Sequence, residues 1–413
     1  MQQLRIKLNL FLISFSYLLS YTFSIAFLYY LLFYNSDKTN SDPLSWTIIR
    51  ASFLLPGALS NIFVGVLVDK YNKKKFMYLS ELLSGILVLS FMLLFNLGFD
   101  KTLHLALYGI ALNIVFSFYE IALDASMVNI SNEKLGEKLI SLIWFMRALS
   151  FVLGPIIAEK IYEAYSPTSI FLINGLTFLI SSISVILTKF SNMQIKENTK
   201  IKNFKNDLLE LKTYISKNPI IKFLVTLNVS IALFYMPIYD ALIPNMAYAL
   251  NLSKSGIAYI ESASWVGTAL TSILILFIGK IKFFLKNLFN SLRLQMIFLS
   301  LWLFPLMFKN LSIKNMVIVY VFLAVLDGAI NATQTLGALN YFQIKVPEEI
   351  RGKMLGLVKT VMRISSPIGT VFYGIALKYY SWNIVLGFSV LVIFLIGTYL
   401  GNKKTFKTFS KEL

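Results

Sequence analysis

Glu120, Asp124, Arg147, Asp327, Lys359 and Arg363 stand inside long apolar runs. Charge is costly there, and the residues that carry it concentrate on function. An acid beside a base stays ionised, whereas an acid parted from its base in a dry place takes up a proton. These six residues are therefore candidates for proton coupling, or for permanent ion pairs that brace a bundle. They fall in a pattern: each half of the chain has an acid in its fourth apolar run and an arginine in its fifth, Glu120 with Arg147 and Asp327 with Arg363. Each arginine is expected to have an acid within reach. Arg50, Asp240 and Glu261 lie within a few turns of the opposite ends of their runs and read as an outer gate; Arg50 reads equally as an interfacial snorkelling residue. His104, the single histidine, falls at a helix end and reads as interfacial.

The elements that must position these residues are apolar helices. The chain is 57% hydrophobic and 14% charged, against about 25% charged in a soluble domain. Runs of at least ~18 apolar residues, each able to cross a bilayer, recur along the whole chain. The expected fold is all-α and integral to a membrane, with twelve helices at about 9–34, 44–68, 76–97, 103–128, 138–161, 169–188, 220–247, 255–279, 288–308, 315–339, 353–379 and 382–400. The first is read as a retained span, being too long for a signal-peptide core. The division is a six-helix bundle over 1–189, a linker over 190–219 and a second six-helix bundle over 220–413. With the N-terminus in the cytoplasm, cytoplasmic segments hold 27 Lys and Arg and the outer loops 5. That bias places both termini in the cytoplasm of a multi-pass protein of the cell membrane. The net charge of +18 thus describes topology, and the scatter of bases over short loops argues against nucleic acid. In the linker, Phe204, Leu208, Leu211 and Ile215 recur at helical spacing, as in a short amphipathic helix lying on the membrane face or in a solvated tether.

Two stretches 216 residues apart resemble each other, LGEKLISLIWFMRALS from Leu135 and RGKMLGLVKTVMRISS from Arg351. They align Gly136 with Gly352, Met146 with Met362 and Arg147 with Arg363. Parallel six-helix repeats are a recurring transporter plan, with the substrate site near the midplane. Between the second and third runs lies Gly65-x-x-x-Asp69-Lys70-x-x-Lys73-Lys74. This resembles the loop signature of the major facilitator superfamily, although Asn72 stands where that family often has Gly; Asn tolerates a left-handed turn. Ser150-x-x-x-Gly154-Pro155 resembles the Gly-Pro element of the family's exporters, incompletely, because Glu159 follows Ala158. Val346 to Lys353 is similar to a segment of the macrolide-efflux and enterobactin-exporter branch.

The resemblance implies a twelve-helix transporter working by alternating access. Asp69 would face the N-terminus of helix 11, near Gly352, as a conformational latch with Gly65 allowing close helix approach; a plain basic loop that fixes topology is the alternative. Gly154 and Pro155 imply a kink in helix 5. Helices 1, 4, 7 and 10 line the family's cavity, so Tyr17, Tyr21, Asn113, Tyr119, Asn228, Tyr235 and Asn331 become candidates for substrate contact. The family's helix 4 arginine has no counterpart. The implied function is proton-coupled efflux of hydrophobic or amphipathic small molecules, such as drugs, macrolides or siderophores. Lipid or lipid-precursor translocation and nutrient import are the alternatives. No zinc, nucleophile or phosphate-loop motif and no cysteine occurs in the sequence, so no enzyme, metal or cofactor is expected. The protein is expected to act as a monomer.

Overall fold

The computed structural model describes residues 2–126, 133–190, 204–278, 288–303 and 311–401. All regular elements among them are helical. The chain divides into two compact units, Met1–Lys200 and Ile201–Leu413. The first holds α1 (Gln2–Lys38), α2 (Pro43–Ser52), α3 (Leu55–Lys70), α4 (Lys73–Asn96), α5 (Thr102–Asp124), α6 (Glu133–Ala164) and α7 (Pro167–Leu187). The second holds α8 (Phe204–Lys217), α9 (Pro219–Ser230), α10 (Ile243–Ala249), α11 (Lys254–Ile278), α12 (Leu288–Leu301), α13 (Ile313–Lys345), α14 (Glu348–Tyr379) and α15 (Trp382–Gly401). Among the described residues, seven helical stretches are long and apolar enough to cross a membrane, and two shorter apolar helices accompany them.

The second expected span, 44–68, is broken into α2 and α3. Pro56 is the cause: it lacks the N–H that a continuous helix would donate. The chain turns at Phe53 and Leu54, where Leu54 N–H donates to the Ala51 carbonyl at 3.1 Å. The freed donor at the start of α3 is met from α5, since Gly57 N–H donates to Asn113 Oδ1 at 2.6 Å. At the other end of the segment, Asp42 caps α2, accepting from Ser45 N–H at 2.8 Å. Such a cap contributes about 1 kcal/mol.

Glycine sets the close crossings. In the N-terminal unit a Cβ at Gly154 would lie 2.4 Å from Ile25 Cγ2, so α6 reaches α1 through this residue. In the C-terminal unit the crossing of α11 and α13 is tighter: a Cβ at Gly267 would lie 1.9 Å from the Val325 carbonyl, and one at Gly328 would lie 2.0 Å from that of Ser264. Backbones approach at this distance only where side chains vanish. Between α9 and α10 the helix widens to π geometry over Ile231–Tyr235 and Ile238–Leu242. Pro237 lies between these turns and carries no N–H to close an ordinary turn. Gly369 on α14 packs against the widened backbone, where its Cβ would meet the Leu233 carbonyl at 2.4 Å.

The linker helix forms at α8. Leu211 is buried, and Lys212 and Lys217 are exposed. The side chains of Phe204 and Leu208 lie outside the described residues.

Candidate functional site

Among the described residues, each unit carries a polar centre built around an acid within its helices. In the N-terminal unit, α6 presents Arg147 to α5 and α1. Its Nη2 donates to Glu120 Oε1 at 2.6 Å and its Nε donates to the Tyr17 hydroxyl at 2.9 Å. The guanidinium also lies 4.9 Å from the centre of the Trp144 ring and 5.6 Å from that of Tyr21. Its side chain is 14% exposed and that of Glu120 is 16% exposed, so the pair is largely shielded. The expected acid is therefore within reach of Arg147. Asp124 is exposed at the end of α5, one turn beyond Glu120.

The C-terminal unit differs from the expected arrangement. Asp327 on α13 is fully buried. Its Oδ2 accepts from the Tyr235 hydroxyl at 2.7 Å and the Tyr239 hydroxyl at 2.6 Å. Its Oδ1 accepts from Gln295 Nε2 at 3.2 Å, and Gln295 in turn accepts from Gln334 at 3.0 Å. Among the described residues, all its partners are neutral. Arg363, four residues beyond Lys359 on α14, is exposed, as is Lys359. The expected pairing of Asp327 with Arg363 is thus corrected: the close α11–α13 crossing buries Asp327, and the π turns bring two tyrosines to it. The Tyr239, Gln295 and Gln334 side chains were not among the sequence candidates. Their signal was a polar residue in an apolar run on a helix neighbouring Asp327.

The cavity candidates divide. Tyr17 and Tyr119 are fully buried in the core with Ile13, Val64, Met77 and Ile143. Asn228 is buried and donates to the Leu224 carbonyl at 2.7 Å. Tyr235 holds Asp327, and Asn113 caps α3. In this conformation these five serve packing and hydrogen bonding. Tyr21 and Asn331 remain half-buried.

At the lysine-rich end, Asn72 caps α4 with φ −65°, and Lys75 N–H donates to its Oδ1 at 3.2 Å. The backbone there is extended, as this cap requires, so the left-handed turn that Asn tolerates is not used. Lys73 donates to the Ala125 carbonyl at 3.1 Å and Lys74 to the Ile186 carbonyl at 2.7 Å. Both lysines meet helix C-termini, where the helix dipole favours cations. The basic residues thus tie α5 and α7 to the start of α4. A Cβ at Gly65 would meet nothing within 4 Å, so the glycine's expected close approach is not made in this conformation. The side chains of Asp69 and Lys70 lie outside the described residues.

Pro155 is accommodated inside the continuous helix α6. Arg50 is buried, with its guanidinium 5.3 Å from the Tyr29 ring centre, which is not the placement of a snorkelling side chain. Asp240 accepts from Thr370 at 3.3 Å and Ser366 at 3.4 Å, and Glu261 is buried. His104 meets the Phe99 ring edge-to-face at the start of α5. A further acid, Glu81 on α4, is buried beside serines of α1 and α7. Its signal was a lone carboxylate amid the apolar run of α4, with Ser84 one turn away.

Comparison with known proteins agrees with this architecture. The chain is 23% identical over 353 residues to Macrolide efflux protein A of Streptococcus pyogenes, covering 83% of this chain and 82% of that protein. It is 22% identical over 325 residues to Macrolide efflux protein A of Enterococcus faecalis, covering 76% and 95% respectively. The nucleoside transporter NupG shares the fold with a TM-score of 0.72 at 12% identity, over 96% of this chain and 100% of that one. A bacterial homologue of the iron transporter ferroportin, in an inward-facing state, gives a TM-score of 0.72 at 14% identity, over 96% and 99%. The family model of the Major Facilitator Superfamily matches residues 10–370. With apolar helices long enough to cross a bilayer and a match over most of its length, the chain belongs to the major facilitator superfamily and is a membrane transporter.

Proposed function

We propose that this protein exports hydrophobic or amphipathic small molecules of the macrolide or drug class from the cell, driven by inward movement of protons. The carrying observation is the Asp327 cage. A carboxyl group deep in a helical unit, held only by neutral hydroxyl and amide donors, exchanges a proton when those donors move. The Arg147–Glu120 pair, by contrast, is already compensated. Efflux is supported by the similarity to the macrolide efflux proteins of Streptococcus pyogenes and Enterococcus faecalis, and an apolar, aromatic interior suits such compounds. The protein works as a monomer in the cell membrane with both termini in the cytoplasm. Asp69 acts as the conformational latch of the loop between α3 and α4.

Accumulation of macrolides, dyes and siderophores, compared in cells with and without the protein, tests the reading. Cells carrying the protein should accumulate less of at least one macrolide or dye, and collapse of the proton gradient should abolish the difference. A difference that persists after collapse contradicts proton coupling; the absence of any difference contradicts export of this class. For the latch, Asp69→Asn should shift spin-label distances across the lysine-rich face toward the open state. Unchanged distances with normal transport would reduce the loop to a topological signal.

A further inference from the structure

The N-terminal unit contains a second buried acid away from Arg147. Glu81, on α4, is 1% exposed. Its Oε1 accepts from the Ser20 hydroxyl of α1 at 3.2 Å, while its Oε2 has no partner among the described residues. Ser181 of α7 lies beside the same carboxyl group, and Tyr119 of α5 lies near it. Ser84, one turn along α4, is fully buried with an unpartnered hydroxyl, and so are Ser181 and Tyr119. Among the described residues, α1 thus brings a serine near Glu81, α7 a serine and α5 a tyrosine. Tyr119 is the titratable side chain in this group, and no lysine or arginine pairs with the carboxyl.

An ionised carboxylate in this place would leave one oxygen bare in an apolar interior, which is the costly arrangement for a buried charge. A protonated carboxyl is neutral and carries a hydrogen to offer to one of the surrounding oxygens. The four helices therefore supply what a bound proton requires: an acid, a shell of hydroxyl acceptors and no competing cation. The reading differs from a structural ion pair, because there is no base to hold the charge.

We propose that Glu81 is a proton-binding site of the N-terminal unit, and that it carries one proton in each transport cycle in addition to the one carried by Asp327. This rests on the reading of the protein as a proton-driven exporter. The proton bonds to Oε2 from water on one side of the membrane and is released to water on the other, so one hydrogen ion enters and leaves per cycle with no other reactant.

Glu81→Gln mimics the neutral acid in shape and cannot release a proton. In proteoliposomes with a macrolide as probe, the proton-to-substrate ratio, read from the reversal of flux against imposed gradients, should fall by one. Infrared difference spectra of full-length protein with isotope-labelled glutamate should show a protonated carboxyl band that titrates with pH and is lost in the variant. An unchanged ratio overturns the inference; if Asp327→Asn still abolishes gradient-driven flux, the export reading survives that failure. If no pH gradient drives the parental protein, the proton-coupled reading itself falls. A sodium gradient that replaces the pH gradient and shifts the same band would make Glu81 a sodium ligand and overturn the proton assignment. Should Glu81→Gln fail to give monodisperse protein, Glu81→Asp and the labelled parental spectrum decide. A glutamate band that never titrates marks a permanently neutral core residue and overturns the proposal.

Discussion

Two deep acids, one in each unit, are held in opposite ways. In the N-terminal unit Glu120 meets Arg147 at 2.6 Å, and aromatic rings flank the cation. In the C-terminal unit Asp327 meets two tyrosines and a glutamine, while Arg363 is exposed on α14. The matched arginines of the sequence repeat, Arg147 and Arg363, therefore stand in different surroundings. A salt bridge fixes the charge on both partners, and its rupture strands a charge. A neutral cage leaves the charge of its acid free to follow the geometry of the donors. The first arrangement suits bracing and the second suits switching.

The sharpest way to break this comparison is to remove one side of the ion pair. Arg147→Met should destabilise the protein by about 3–5 kcal/mol through the stranded Glu120 charge, read as lost thermal stability in detergent. Adding Glu120→Gln should recover most of that loss. A single variant as stable as the parent would mean that the pair braces nothing.

A smaller effect is expected in the cage. Tyr239→Phe and Tyr235→Phe each remove one hydroxyl donor from a buried carboxyl, costing about 1–3 kcal/mol. Each should also move the pH optimum of transport, whereas Arg147→Lys should leave the optimum in place. Equal shifts from both units would erase the distinction between them.

The smallest effect belongs to an edge of the N-terminal unit. Lys38 of α1 and Tyr34 both donate to Asp100, in the loop after α4. Burial pushes the Asp100 carboxyl up, but these hydrogen bonds outweigh it and hold the group below its ordinary range. The contribution is present above the unfolded-state value and is lost as pH falls through the folded-state value. Because the Lys38 side chain is 48% exposed, solvent screening limits the pair to about 0.2–1 kcal/mol. Asp100→Asn should therefore flatten the acid limb of a thermal-stability profile slightly and leave stability at neutral pH within that range.

Much of the fold was legible because apolar length and lysine placement are local properties of the sequence. The Glu120–Arg147 pair was legible too, since two ordinary helices of one unit bring intramembrane opposite charges together. The Asp327 cage was not. Which faces of the Ile231–Leu242 segment meet α13 depends on π turns around Pro237, and a helical wheel of 3.6 residues per turn misplaces everything beyond them. The break at Pro56 had a visible cause, yet the partner that makes it tolerable, Asn113, lies on another helix and read as a cavity residue. Glu81 was visible as an acid in an apolar run, but its surroundings come from three other helices.

The most direct test of the account is uphill macrolide transport by reconstituted protein under an imposed pH difference, comparing the parent with Asp327→Asn. The account predicts that the parent accumulates substrate against its gradient. It predicts that the variant does not, while still exchanging labelled for unlabelled substrate. Uphill transport by the variant at the parental rate would contradict it.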